Sequence, residues 1–344
     1  MKKPLRIILV NVLLILLVLG LFEGFFYLCL HRPAFLRAMP MRVRNMVGYL
    51  YARERPTIQF EPACARFDPG LGYTLRPGVC DFGGREFTNR YRVNSLGVRD
   101  EEGALDGPEV VVLGDSFAMG WGVEQEETFA KVLERKTGLK VLNTAVSSYG
   151  TAREMMILKR VPAGNLRWVI IQYCGNDREE NYAFLESGNR LRTMTREEYD
   201  RYVDLYQRSR SYYPGKYLYL KLKKRFEELQ APRPREDLGD EAELFLKTIV
   251  NAGVPLDGVK LVAFVMNGRN PDDNRPFPRA LKERIASGSY PAYIKDMIVL
   301  DFSDLLGEGD FYVLDDHLNR HGHEVIAQAL AKVVRAPQNH RRKD

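Results

Sequence analysis

Four short segments carry residue types that can do chemistry together. Gly114-Asp115-Ser116-Phe117 puts a serine straight after a β-branched run at 109–113. A serine hydroxyl is a poor nucleophile by itself and needs an adjacent base. Asp315-Asp316-His317-Leu318-Asn319 supplies one. His317 can take the serine proton, and Asp315 can orient the imidazole, with Asp316 the less favoured substitute. Gly175-Asn176-Asp177 offers a side-chain amide, and the stretch from Asn143 to Thr151 offers backbone N–H groups, to hold a forming oxyanion. The chemistry this set points to is acyl transfer through a serine ester.

Each segment also has a plain structural reading. Gly-Asp-Ser is common turn chemistry, and the pattern is not the G-x-S-x-G elbow. Residues 175–177 read equally as a turn and helix start, and Asn319 as the N-cap of the last helix. The chain has five histidines. His31 and His340 lie in the N-terminal flank and the tail, which leaves His317, His321 and His323 as candidate bases. The same three could be read as a metal set, but no acidic or cysteine partner has zinc-like spacing, so no metal is expected. No organic cofactor is implied.

These segments need a scaffold that brings them to one place. Short apolar runs at 109–113, 140–143, 168–174, 259–266 and 297–302 read as strands. Helical patterns at 128–136, 152–159, 242–250 and 320–334 alternate with them. Alternation of this kind predicts a parallel sheet covered on both faces. In open α/β sheets ligands bind outside the carboxyl ends of the strands. The first three segments would then lie on one rim, and the fourth could reach it. From residue 67, Asp68-Pro69-Gly70, Arg76-Pro77-Gly78 and Gly83-Gly84 punctuate a β-rich lead-in. Residues 183–240 break the alternation. They read as a helical insertion, with Tyr199, Tyr202, Val203 and Tyr206 at helical spacing, followed by a basic, tyrosine-rich stretch. That stretch suits either a solvated face or a surface for glycan or lipid headgroups.

The N-terminus has its own signal. Residues 7–30 are almost continuously apolar and would span about 36 Å as a helix, against about 30 Å of hydrocarbon. Lys2, Lys3 and Arg6 precede them, which favours a cytoplasmic N-terminus and an extracytoplasmic domain, periplasmic or extracellular. A cleaved signal peptide is the alternative. Residues 1–30 are therefore expected to be an anchor, 31–66 a juxtamembrane linker, 67–335 the main domain and 336–344 a disordered basic tail. The net charge of +6 sits partly in these flanks, and no nucleic-acid signature is present. Of the four cysteines, Cys64 and Cys80 flank a Gly/Pro-rich loop and could pair if exported.

Taken together, the segments resemble the SGNH/GDSL hydrolase family. Val112-Leu113-Gly114-Asp115-Ser116-Phe117 is similar to its first block, and Gly175-Asn176-Asp177 to the block with its oxyanion asparagine. Asp315 to Asn319, with Gly322-His323, is similar to the last. Gly120-Trp121-Gly122-Val123, Glu127-Thr128-Phe129, Asp68 to Tyr73 and Asn94 to Arg99 resemble a membrane-anchored bacterial subgroup. The resemblance spans 67–335. It implies a flavodoxin-like three-layer α/β/α fold with a sheet of about five strands, Ser116 as nucleophile, His317 as base and the acid just before it. Two departures stand out. Leu314 occupies the place of the usual D-x-x-H acid, so Asp315 fits a D-x-H version. Ser148 falls where the family has its oxyanion glycine, with Gly150 two residues on. The expected oxyanion donors are thus Ser116, Ser148 or Gly150, and Asn176. The expected activity is an esterase on acyl, chiefly O-acetyl, esters of an envelope or secreted glycan. The alternatives are an O-acyltransferase using the same triad, or a non-catalytic envelope protein.

Overall fold

Four short, mostly buried runs of apolar residues build the centre of the molecule as strands. In the computed structural model, which describes residues 3–230 and 238–335, these are β5 (Val110–Leu113), β6 (Val141–Asn143), β7 (Trp168–Tyr173) and β8 (Lys260–Val265). With the edge strand β9 (Ile298–Val299) they form one parallel sheet in the order β6-β5-β7-β8-β9. Every residue of β5 and β7 is buried, as expected of strands covered on both faces.

The covering is visible in two rings. Phe264 of β8 pairs in register with Gln172 and meets Phe129 at 5.9 Å, whereas Tyr173 meets Phe245 at 5.2 Å. Gln172 and Tyr173 are consecutive, so their side chains point to opposite faces. The helices Phe129–Thr137 and Arg320–Ala331 therefore cover one face, and Thr151–Leu158, Asp177–Glu186 and Glu241–Asn251 the other. This is the expected flavodoxin-like α/β/α arrangement. Most boundaries fall within a residue or two of the sequence reading. The expected strand at 297–302 shrinks to two residues because Asp301 turns the chain, its Oδ1 accepting from the Ser303 N–H at 2.9 Å. The last helix stops at Ala331 rather than 334.

Before the sheet come two antiparallel hairpins, β1 (Ala65–Asp68) with β2 (Gly72–Leu75) and β3 (Gly78–Gly83) with β4 (Thr88–Val93). Cys64 and Cys80 form a disulfide that ties the start of the first hairpin to the second, with Cα atoms 5.5 Å apart. Within 31–66 lies the helix Met41–Ala52. The insertion contains the helices Arg196–Ser209 and Lys216–Gln230. Tyr199 and Tyr206 are buried and Tyr202 stacks on Phe60 at 5.5 Å, so one stripe of this insertion packs and the rest faces out. Its residues 231–237 and the tail at 336–344 lie outside the described residues.

Among the described residues one helix, Pro4–His31, is long and apolar enough to cross a membrane. Ile7, Leu16 and Leu21 on it are more than half exposed, whereas Phe26, Cys29 and Leu30 are buried against Leu36, Leu50, Tyr217 and Leu314.

The disulfide closes a loop across a sequence separation of 16. A bridge over such a loop restricts the unfolded chain by about 3 kcal/mol. Replacing Cys64 and Cys80 together by serine is expected to lower the unfolding free energy by about that amount in urea titrations, with the sheet intact by circular dichroism.

Candidate active site

The carboxyl ends of the neighbouring strands β6, β5 and β7 form one rim, with spacings set by the sheet at about 4.8 Å. The order reverses at β5, since the chain passes to β6 on one side and then to β7 on the other. This is the crevice of a doubly wound sheet. Ser116 stands at that point, as the first residue of the short helix Ser116–Met119. Asp115 caps the helix by accepting from the Phe117 N–H at 2.9 Å. Gln172 on β7 accepts from the N–H groups of Asp115 and Ala118, at 3.1 and 3.2 Å. Gly114 has a φ of 151°, and a side chain there would strike Ala118 and Gln172, so only glycine allows this sharp exit from β5.

His317 reaches the same point from across the chain. Its Nε2 lies 2.7 Å from Ser116 Oγ, and its Nδ1 lies 2.5 Å from Asp315 Oδ1. The imidazole is sandwiched, with Trp121 stacked at 5.1 Å and Phe117 at 4.6 Å. The D-x-H spacing works because residues 312–317 form a closed loop. The Tyr312 N–H donates to the His317 carbonyl, and Phe311 bridges Leu318. The Glu86 carboxylate accepts from the N–H groups of Val313, Leu314 and Asp315 at 2.8, 2.7 and 2.9 Å. Arg269 donates to the carbonyls of Tyr312 and Asp315 on the same loop.

Asp315 has no exposed side-chain surface, while Asp316 is more than half exposed and sits 3.6 Å from Nδ1. Three other donors hold Asp315. Trp121 Nε1 donates to Oδ2 at 3.2 Å, the Arg55 guanidinium to Oδ1 at 3.0 Å, and the His317 N–H to Oδ1 at 3.3 Å. Burial alone would raise its pKa. The neighbouring imidazole, Arg55 and Trp121 outweigh burial and hold the carboxyl well below the usual carboxylate range. Burial outweighs the Phe117 N–H and the imidazole at Asp115 and pushes its carboxyl up to about 6.

The proposed oxyanion donors share the rim but make no hydrogen bond to Ser116 or His317. Asn176 follows β7 and is exposed, and its side chain does not cap the helix it begins. Ser148 and Gly150 follow β6. Ser148 has a φ of 60°, the left-handed region where glycine is at ease, at an intrinsic penalty of about 1 kcal/mol. Its hydroxyl accepts from Gln59 at 3.1 Å. The backbone therefore keeps the turn that a glycine would favour. Among the described residues, the N–H groups of Ser116, Ser148 and Gly150 have no acceptor.

The other histidines lie elsewhere. His321 is exposed and pairs with Asp310 at 2.5 Å. His323 is buried, and its Nδ1 accepts from the Phe129 N–H at 3.2 Å. The three histidines therefore do not converge on one point. Asp315, Asp316 and His317 do place ligand atoms within 4.8 Å of one another. However, Arg55 already bridges both carboxylates, at 3.0 and 3.2 Å, and fills the position a cation would take.

Arg55, Glu86 and Gln59 escape a reading of the sequence. Arg55 and Gln59 lie in the stretch expected to be a linker, 260 and 89 residues from the partners they reach. Nothing local marks them. Trp121 and Arg99 do stand in quoted motifs. Arg99 is fully buried, and its guanidinium donates to the carbonyls of Gly120 and Val123 at 2.5 and 2.6 Å, which shapes the loop that presents Trp121.

No family model and no curated relative matches the chain. Among solved structures it is similar to a member of the lipolytic protein G-D-S-L family from Veillonella parvula, at 12% identity over 65% of this chain and 96% of that one, with a TM-score of 0.35. It is also similar to a carbohydrate esterase family 2 enzyme with a carbohydrate-binding domain from Corynascus thermopiles, at 13% identity over 66% of each chain, with a TM-score of 0.38. A third, assigned to the lipolytic G-D-S-L family in Desulfitobacterium hafniense, matches at 16% identity over 65% of this chain and 98% of its own, with a TM-score of 0.37. The architecture here is defined by its own strand order, and the site by its own distances.

Burial lowers the pKa of His323 from the ordinary 6.5 to about 3, so it stays neutral in the folded protein. The unfolded chain binds that proton first. The stability this residue contributes is complete above about pH 6.5 and is lost as the pH falls from there toward about 3. Wild type is expected to exceed His323→Asn in unfolding free energy at pH 7. The gap should narrow by about 2 kcal/mol by pH 5, at about 1.4 kcal/mol per unit. Urea titrations at both pH values read it.

Proposed function

We propose that this chain is a serine-dependent esterase of the SGNH/GDSL type, acting on acyl esters outside the cytoplasm. The observation that carries the reading is the unbroken relay from Ser116 Oγ through both nitrogens of His317 to Asp315, at 2.7 and 2.5 Å.

In this reading Ser116 Oγ attacks the ester carbonyl and His317 Nε2 takes its proton. The negative charge on the tetrahedral intermediate is met by the Ser116 N–H, an N–H of the Ser148–Gly150 turn and the Asn176 amide. The intermediate collapses, and His317 returns the proton to the leaving alkoxide. Water, deprotonated by the same imidazole, then attacks the acyl-serine and releases the acid. Asp315, kept ionised by its donors, stabilises the imidazolium formed in both steps. Arg55 touches no reacting atom. It is a positioning residue, whose guanidinium holds the Asp315 carboxylate that faces the ring.

The proposed substrate is an acylated, chiefly O-acetylated, glycan of the envelope or a secreted polymer. Two features support an extracytoplasmic location. The apolar helix Pro4–His31 follows basic residues and serves as an anchor through residues 7–30. The Cys64–Cys80 disulfide fits an oxidising compartment. An anchored domain would act on polymer at the envelope.

With the full-length chain in detergent, Ser116→Ala is expected to cut p-nitrophenyl acetate hydrolysis by at least about a thousandfold. It should also abolish a fluorophosphonate adduct that mass spectrometry maps to Ser116 in the wild type. Undiminished hydrolysis in the variant would overturn the mechanism. Arg55→Gln is expected to lower kcat about tenfold with KM little changed, with Arg55→Lys staying near wild type. An unchanged kcat would reduce Arg55 to a structural role.

A further inference from the structure

A second cleft, of about 650 Å³, opens where the apolar N-terminal helix meets the rest of the molecule. It lies between that helix, Met41–Ala52 and the insertion helix Lys216–Gln230. Its apolar wall is made by Phe22, Met46, Leu218 and Leu222. Its charged residues are Arg42, Lys221, Lys224 and Arg225, and no carboxylate lines it.

Its position relative to a bilayer follows from the helix. The apolar side chains are bare up to Leu21, and from Phe26 onward one side of the helix, with Phe26, Cys29 and Leu30, is buried in protein while Tyr27 and Leu28 stay about half exposed. About 20 residues span the hydrocarbon, so a helix that enters near Pro4 leaves it near Phe22 to Gly24. Glu23 agrees. Its carboxylate accepts from the Tyr217 N–H and the Tyr212 hydroxyl, both at 3.3 Å, at the depth where a charged group meets water. Phe22 therefore places the cleft at the bilayer surface. Tyr212, Tyr213, Tyr219 and Phe226 are about half exposed or more on the same insertion, a distribution typical of the interfacial belt.

The chemistry of the cleft matches that depth. Lys221 Nζ hangs 5.8 Å from the Phe22 ring and 2.9 Å from Met46 Sδ, with no acidic partner among the described residues. Arg42 is exposed. A cation held over an apolar wall and left without a carboxylate suits an amphiphile with a negative head and a hydrocarbon tail.

We propose that this cleft binds one anionic phospholipid from the bilayer that the N-terminal helix enters, with the phosphate on Arg42 and Lys221 and an acyl chain along Phe22, Leu218 and Leu222. The proposal rests on the anchor reading above and is independent of the esterase reading. It assigns the insertion a task, which is to hold the domain against the membrane in one orientation.

The test is native mass spectrometry of the full-length chain in neutral detergent with equimolar phosphatidylglycerol and phosphatidylcholine. One phosphatidylglycerol should be retained in preference. Each basic side chain is worth about a fivefold change, so Arg42→Ala with Lys221→Ala is expected to weaken retention about twentyfold. Leu222→Trp, at an exposed position that tolerates change, should fill the cleft and also release the lipid. Unchanged thermal midpoints show that the variants fold. Equal retention of the two lipids, or full retention by the double variant, overturns the proposal. Membrane fractionation separates the two readings: a soluble chain that begins beyond residue 31 overturns the anchor, whereas a membrane-bound chain with no lipid preference overturns the cleft alone.

Discussion

The arrangement turns on one buried negative charge. Asp315 sits with no exposed side-chain surface, and a lone carboxylate there would be neutralised by its surroundings. It stays ionised because the protein supplies an imidazole, an indole N–H, a guanidinium and a backbone N–H. The donors come from three different stretches of chain, so satisfying this charge draws the stretches together. Arg55 precedes the first hairpin, Trp121 follows the serine turn, and His317 shares the closing loop. The demand that orients the His317 imidazole also fixes the packing around it.

A second layer holds the first. The loop that carries Asp315 and His317 has no regular structure of its own. It keeps its shape because Glu86, in the turn of the second hairpin, collects three of its N–H groups, and Arg269 collects its carbonyls. The hairpin in turn packs Phe82 against Trp121 at 5.0 Å. The hairpins before the sheet thus support the site directly, although they contribute no strand to the sheet. Positioning through such supports is what holds catalytic groups within fractions of an ångström.

The molecule also presents two kinds of surface. On one side the parallel sheet hides its strands under helices. On the other, the apolar helix runs bare for most of its length and then enters protein at Phe26. The insertion helices attach at that transition through Glu23, Tyr212 and Tyr217. Their surface mixes aromatic and basic side chains, and it lies where the bare helix meets the rest of the protein.

What the sequence determined by itself was local. Unbroken β-branched runs bury on both faces and can only be inner strands, so β5, β7 and β8 were legible almost to the residue, as were the helices whose apolar stripes cover them. Ser116 after β5 and the Asp-x-His spacing were legible because each lies within one turn of chain. The apolar helix was legible from length alone. The tertiary structure decided which carboxylate of the Asp315–Asp316 pair faces the imidazole, because that depends on which one the closed loop buries. It decided that His321 and His323 turn to Asp310 and Phe129, and that Ser148 keeps a left-handed turn. It alone revealed Arg55, Gln59 and Glu86. A charge that acts across more than two hundred residues leaves no periodicity behind, since its partner is chosen by the folding of everything between.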